Sequence, residues 1–343
     1  MDERVHEILG EEEAWIVGGA VRDELLGRPV LDLDVACGDP REAAVRYARR
    51  FGGAAFALSE RHGAWRVAAP DAEQTIDFTP LPAGIEADLA SRDFAFNAIA
   101  VRVGSGAVCD PHGGKDDLEA RRIRAVSDSV FIDDPLRLLR AVRLEDELGF
   151  HVDAHTEELL RISAALVTQP AGERILGELR RLSVAGYRRL DDVGLLEPLG
   201  GRVDGPIDAL DDPDFRLVAV FRASLAGFPI SNELRRYATT LVDARPPDDP
   251  SPRAIHRFRR DTEPWALDAL AFVGSAELSA VVEAARLADP AEPLVRGDEL
   301  EIAPGPEIGR ILAVIEEERA AGTISTRDDA LDLARSLAST EAS

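Results

Sequence analysis

Asp32 and Asp34 flank Leu33 in a stretch, Val30 to Cys37, where apolar and acidic residues alternate. Alternation of that kind is strand period, so both carboxylates should share one face. Neighbouring carboxylates raise each other's pKa unless a cation lies between them. A surface strand tolerates such a pair, and alone it carries little meaning. Here it follows Gly18-Gly19 in the same α/β unit. Glycines between a short strand and a helix let backbone N–H groups approach a triphosphate closely. Arg22, one helical turn on, would reach the same phosphates, or simply pair with Asp23 or Glu24. Two Mg²⁺ ions held by Asp32 and Asp34 would clamp an in-line displacement. One would activate a 3′-hydroxyl and the other would stabilise the departing pyrophosphate. Asp77, in Ile76-Asp77-Phe78, is a third acid on a later strand. It would complete the metal site or accept the hydroxyl proton; the plainer reading is a strand-end acid facing solvent.

Asp134 and Arg137 are three apart where the spacing predicts a helix, so their side chains should be neighbours, and Arg140 and Arg143 continue the row. A solvated Asp–Arg pair is the plain reading. The chemical one is base selection. C and A each present an exocyclic amine beside an unprotonated ring nitrogen. A carboxylate accepts from the amine while a guanidinium donates to the ring nitrogen. G and U reverse that polarity and leave both protein groups mispaired.

The elements that must position these residues give an α+β fold class: an N-terminal head with a mixed β-sheet and helices, then an all-α neck, body and tail. Strands are expected over Ala14 to Val17, Val30 to Cys37, Ala54 to Leu58, Ala64 to Ala68, Thr75 to Phe78 and Ala98 to Val103. Head helices are expected over Ala20 to Leu26, Arg41 to Phe51 and Ala87 to Asn97. Further helices follow over Pro135 to Leu148, Thr156 to Val167, Gly172 to Tyr187, Glu307 to Ala321 and Thr326 to Leu337, the last capped by Thr326. Asp243 to Pro252 reads as a loop. The expected domains are a head at 1–110, a neck carrying base recognition at 111–200, and a body and tail at 201–343.

With 343 residues the chain is long enough for two or three cooperating domains. No apolar run approaches bilayer length, and Met1 to Glu13 lacks the basic and apolar regions of a signal peptide. Cytoplasm is the expected location, with no membrane partner. Cys37 and Cys109 read as plain buried thiols. The net charge of −24 repels nucleic acid, so any RNA binding must rest on local arginine clusters and metal ions. Lys115 is the only lysine. Arg253 to Arg260 is the most basic run, with Phe258 interleaved; Arg257, Arg259 and Arg260, together with Arg180 and Arg181, are the candidate RNA-backbone contacts. The same run also suits a solvated helix face. The six histidines are scattered and suggest no zinc site. No His-Asp pair suggests a phosphohydrolase domain.

Val17-Gly-Gly-Ala-Val-Arg-Asp-Glu-Leu-Leu-Gly27, followed by Leu31-Asp-Leu-Asp-Val35, resembles the head signature of the class II tRNA nucleotidyltransferases and bacterial poly(A) polymerases. The resemblance continues through Ser91-Arg-Asp-Phe-Ala-Phe-Asn-Ala98, Asp110-Pro-His-Gly-Gly114, Asp133-Asp-Pro-Leu-Arg-Leu-Leu-Arg-Ala-Val-Arg143 and Glu173-Arg-Ile-Leu-Gly-Glu-Leu179. Weaker echoes are Gly194-Leu-Leu196 and Ala303-Pro-Gly-Pro-Glu-Ile-Gly309. The resemblance implies a template-independent enzyme that uses CTP and ATP to extend the 3′ end of tRNA. It implies base reading by Asp134 and Arg137, with Arg140 and Arg143 bracing the nucleotide. It implies ribose reading by Asp93, a phosphate-facing Arg92, and structural support from Asn97. Asp110 to Gly114 would be a hinge or a tight loop.

Four positions depart from the family pattern. Ser91 replaces an arginine, Ala95 a threonine and Asp133 a glutamate. The fourth is length: Thr79 to Ala90 is short where many CCA-adding members carry a flexible loop, and in the family a missing loop accompanies addition of the two cytidines only. Cytidine-only addition and poly(A) synthesis are therefore the alternatives within the family. A non-catalytic RNA-binding relative is the alternative from another class.

Overall fold

The computed structural model describes residues 3–30, 32–60, 62–68, 75–300, 302 and 305–340, the side chains of 339 and 340 excepted. Leu31 of the acidic strand motif, and Ala303 and Pro304 of the C-terminal motif, lie outside the described residues. The chain forms two compact units, Met1–Leu199 and Gly200–Ser343.

The first unit opens with α1 (Glu3–Leu9), β1 (Ala14–Val17), α2 (Gly19–Leu25), β2 (Asp32–Cys37), α3 (Pro40–Phe51), β3 (Ala54–Ser59), β4 (Ala64–Ala68), β5 (Thr75–Pro80) and α4 (Ile85–Ala90). A 3₁₀ turn, Ala95–Asn97, leads into β6 (Ala100–Arg102) and β7 (Val108–Cys109). Seven strands make one mixed sheet in the order β3-β4-β5-β2-β1-β6-β7, with β2 and β5 parallel and the other neighbours antiparallel. Each face has its own helix because the strands alternate. Leu33 and Val35 face the side where Tyr47 of α3 packs on Phe78, while Ala36 joins Val17, Leu89 and Ala100 in the core beneath α4. Asp32 and Asp34 share the Ala36 face by strand period.

The same unit continues through α5 (Gly114–Glu119), β8 (Arg122–Ile123), α6 (Val130–Asp133), α7 (Arg137–Leu148), β9 (His151–Val152), α8 (Ala154–Ile162), α9 (Gly172–Leu179) and α10 (Val184–Asp192). The second unit is built from α11 (Pro213–Phe221), α12 (Asn232–Asp243), α13 (Pro252–Thr262), α14 (Ala266–Phe272), α15 (Ser279–Leu287), α16 (Pro306–Ala320) and α17 (Arg327–Thr340). Three of its helix starts carry a side-chain cap: Asp212, Ser231 and Ser251 each accept a backbone N–H of the first turn.

Four expected helices differ. The helix expected over Ala87 to Asn97 stops at Ala90. Beyond it Phe94 turns extended and bridges Ala125, while Ala95 N–H donates to Arg124 and Val126 N–H to Asp93. Burial of Phe94 and Phe96 draws this backbone into long-range pairing and overrides local helix preference. The helix expected over Gly172 to Tyr187 is two helices. Asp146 takes the Ser183 N–H and hydroxyl, and the Ser183 oxygen caps α10. The helix expected over Thr156 to Val167 ends at Ile162 and continues as a 3₁₀ turn, Ala164–Thr168. The helix expected from Pro135 begins at Arg137, and Asp134 precedes it in extended conformation (φ −144°, ψ 100°). Asp134 and Arg137 are thus not on one helix face.

Candidate active site

The acids come from the centre of the sheet. Asp34 on β2 lies opposite Asp77 on β5, and Asp32 lies opposite Thr75. Thr75 Oγ1 donates to Asp32 Oδ1. Asp32 is exposed; Asp34 and Asp77 are half-buried. Burial pushes the Asp34 carboxyl up, Arg92 beside it pulls the other way, and the charges of Asp77 and Asp32 add to the rise. This net excess of negative charge among hard oxygen donors suits a divalent cation such as Mg²⁺. Asp77 is held by an ion pair. It is neither a solvent-facing strand end nor an open ligand, because Arg66 on β4 grips it with Nε on Oδ1 and Nη2 on Oδ2, both at 2.7 Å. Among the described residues no three metal-ligating side chains converge as a ready cage.

Gly18 borders this group with φ +71° and ψ −136°. A Cβ there would lie 2.6 Å from Arg92 Nη1 and 3.4 Å from Asp34 Oδ2. The position therefore needs glycine for its backbone, and a side chain there would push the end of Arg92 aside. Gly18→Ala is expected to destabilise the protein by about 1–3 kcal/mol and to displace Arg92. Thermal melting and the KM for nucleotide would register the two effects separately. Gly19 backs onto the Arg22 guanidinium. Arg22 takes the plainer of its two expected roles: it chelates Asp23 and donates Nη1 to Asn97 Oδ1 at 2.9 Å. Arg92 is anchored through Nε to Asp88 Oδ2 at 2.9 Å.

Asp93 is buried. Its Oδ1 accepts from Phe94 N–H and Asn97 Nδ2, and its Oδ2 accepts from Nε and Nη2 of Arg140. Four donors occupy its two oxygens, so the expected 2′-hydroxyl contact has no free acceptor here. Burial opposes the charge on Asp93, yet Arg140, Asn97 and the Phe94 N–H hold its carboxyl below the ordinary value of 3.8. Arg140 correspondingly spends Nε and Nη2 on tying Asp93 to α7. Arg143, only 4% exposed, pairs with Glu178 and Glu147 and is likewise closed to substrate. Arg22, Asn97, Asp93, Arg140, Glu178, Arg143 and Glu147 form one charge-assisted chain running from α2 to α9.

Asp134 faces Arg174 of α9, which donates Nη2 at 2.8 Å, and not Arg137. Arg137 donates to the carbonyls of Ser91 and Val130. Arg174 is not among the expected site residues; its one sequence signal is that it lies in the family-like segment Glu173 to Leu179. Arg66 left no signal beyond strand alternation. Asp110 accepts from Gly114 and Lys115 N–H and caps α5 as a tight turn. Cys37 is buried, its thiol pushed up to about 12, and Cys109 is partly exposed.

The candidate RNA contacts are engaged within the protein. Arg257 bonds Glu317, Arg259 bonds Asp289 and Glu263, Arg260 bonds Asp261, and Arg181 bonds Glu147. Arg180 is exposed at the end of α9. Phosphate would reach the paired arginines only by exchanging with these acids. No helix among the described residues is long and apolar enough to cross a membrane.

Comparison with known proteins places this arrangement. The family described as Poly A polymerase head domain matches residues 14–124. The CC-adding tRNA nucleotidyltransferase of Geobacter sulfurreducens is 43% identical over 57% of this chain and 47% of its own length. The A-adding tRNA nucleotidyltransferase of Deinococcus radiodurans is 38% identical over 68% and 57%. In both, the chain spans about half of the relative. The CC-adding tRNA nucleotidyltransferase of Thermus thermophilus is 32% identical over 93% of this chain and 92% of its own. Among solved structures, the Thermotoga maritima CCA-adding enzyme complexed with tRNA gives a TM-score of 0.72 at 20% identity, over 98% of this chain and 93% of that one. A CCA-adding enzyme with ATP gives 0.78 at 20% identity over the same shares. At that identity the structural neighbours speak for the fold alone. The nearly end-to-end match to the Thermus relative, joined to the glycine turn and acidic strand of the head, means that the chain belongs to the class II tRNA nucleotidyltransferase and bacterial poly(A) polymerase family.

Proposed function

We propose that this protein adds C and A to the 3′ end of tRNA without a template, taking nucleotides from CTP and ATP and releasing pyrophosphate in the cytoplasm. The observation that carries the reading is Asp32 and Asp34 on one strand face, with Gly18 and Arg92 against Asp34. Asp32 and Asp34 would hold two Mg²⁺ ions, which supply activation of the 3′-hydroxyl and stabilisation of the leaving pyrophosphate. Gly18 keeps the backbone beside the acids clear for the triphosphate. Arg92, oriented by Asp88, supplies positive charge on the phosphate side. The Asp93–Arg140 pair ties the head to α7, the helix opened by Arg137.

Base choice rests on Asp134 and Arg137. Asp134 accepts from the exocyclic amine of C or A while Arg137 donates to the ring nitrogen; both already sit in fixed hydrogen bonds that restrict their rotamers. Asp134→Ala is expected to lower discrimination against G and U by about 10²-fold with a smaller loss in turnover. Incorporation of each of the four nucleotides by the variant would check this, and retained selectivity would contradict the base-reading role.

A second reading, addition of cytidines only, is favoured by the short connection between β5 and α4, residues Leu81 to Gly84. Incubating a tRNA transcript lacking its end with labelled CTP, ATP or both, with product length resolved, decides. Two added residues from CTP alone, with none from ATP, select the cytidine-only enzyme; three select CCA addition. A long adenosine ladder selects poly(A) synthesis, and no incorporation at all leaves the non-catalytic alternative.

A further inference from the structure

Three charged residues lie abreast on three adjacent strands. Asp34 on β2 is in register with Asp77 on β5, and Asp77 is in register with Arg66 on β4. Side chains directly opposite in neighbouring strands project to the same face. Without Arg66, Asp77 would be a free carboxylate directly opposite Asp34. With Arg66, both its oxygens are engaged at 2.7 Å in a two-pronged grip, a geometry that a planar guanidinium provides and an ammonium does not. The Arg66 side chain is 34% exposed and that of Asp77 is 16% exposed, so the pair is partly shielded from screening by water.

We propose that Arg66 is a positioning residue for the metal site: it chelates Asp77 and withholds that carboxylate from the ions, leaving Asp32 and Asp34 as their protein ligands. This rests on the nucleotidyl-transfer reading of the same acids. The role is one of tuning. Affinity for a hard divalent cation rises with the number and charge of its oxygen ligands. A site with a third free carboxylate would hold its ions more tightly and surrender pyrophosphate-bound metal less readily. Two carboxylates leave more of the ion's coordination to the triphosphate.

The test measures Mn²⁺ binding to the free protein, by electron paramagnetic resonance of unbound ion, so it does not depend on turnover. Arg66→Gln is expected to tighten binding by at least about five-fold, because it adds a carboxylate ligand. Arg66→Lys keeps the charge but loses the two-pronged grip, and should tighten binding about two- to three-fold. Adding Asp77→Asn to Arg66→Gln should return the wild-type affinity, and adding it to Arg66→Lys should abolish the tightening. Wild-type affinity in both single variants would overturn the proposal. So would tightening in Arg66→Gln that survives Asp77→Asn, or tightening confined to Arg66→Gln, which would reduce Arg66 to a bulk charge. Circular dichroism and melting confirm folding, and Arg66→Lys guards against collapse of Arg66→Gln. Mn²⁺ binding that persists in Asp32→Ala would instead sink the metal reading of the site itself.

Discussion

Asp34→Asn is expected to cut nucleotide incorporation by at least about 10³-fold, equivalent to roughly 4 kcal/mol of lost transition-state stabilisation, while raising the melting temperature in metal-free buffer at neutral pH. The activity loss follows from removing one of two carboxylates that would hold the ions. The stability gain follows from the sign of the Asp34 shift. Burial first, then the charges of Asp77 and Asp32, raise its pKa above the ordinary 3.8. The folded state therefore binds this proton more tightly than the unfolded chain does. Above the folded pKa the ionised carboxylate works against folding, and the disadvantage fades as pH falls through that value. Asparagine keeps the shape and drops the charge. Function and stability thus pull in opposite directions at this position. Incorporation assays and melting curves on the same preparation check both halves. A variant that is inactive but less stable than wild type would show that Asp34 is a structural residue, and unchanged activity would remove it from the catalytic set.

Asp93→Ala is expected to cost about 3–5 kcal/mol of stability, the range for removing one partner of a buried ion pair. The change strips Arg140, Asn97 and the Phe94 N–H of their shared acceptor at once. Asp93→Asn should cost less, because one oxygen remains for the Phe94 N–H. The ion pair also predicts an acid limit. The Asp93 carboxyl is held below 3.8 in the fold, so the unfolded chain takes up this proton first. The stabilisation is complete above about pH 4 and declines as pH falls through the folded pKa. Urea melts between neutral pH and pH 3 would show a steeper acid loss for wild type than for Asp93→Asn. Parallel curves would mean the pair contributes nothing to stability. Because Asp93 tethers α7, incorporation should fall with stability in Asp93→Ala even though both its oxygens are engaged within the protein.

The sequence by itself determined what depends on local geometry. Strand alternation put Asp32 and Asp34 on one face, and that holds whatever packs around them. The glycine at position 18 marked a turn where backbone can approach a ligand closely, and the structure adds a positive φ and the nearness of Arg92. Cap residues such as Thr326 likewise act within a few positions of themselves. Only the tertiary structure decided which charges meet. Asp134 finds Arg174 forty residues on and not Arg137; Asp93 finds Arg140 forty-seven on; Asp77 finds Arg66 on the adjacent strand. An acidic chain rich in arginine offers each carboxylate many possible partners. Spacing along an element says which way a side chain points, but its partner is set by which strand or helix lies opposite. The same limit explains the helix expected through Asp93: its spacing is helical, yet pairing with the 124–126 segment buries Phe94 and Phe96 and outweighs the local preference.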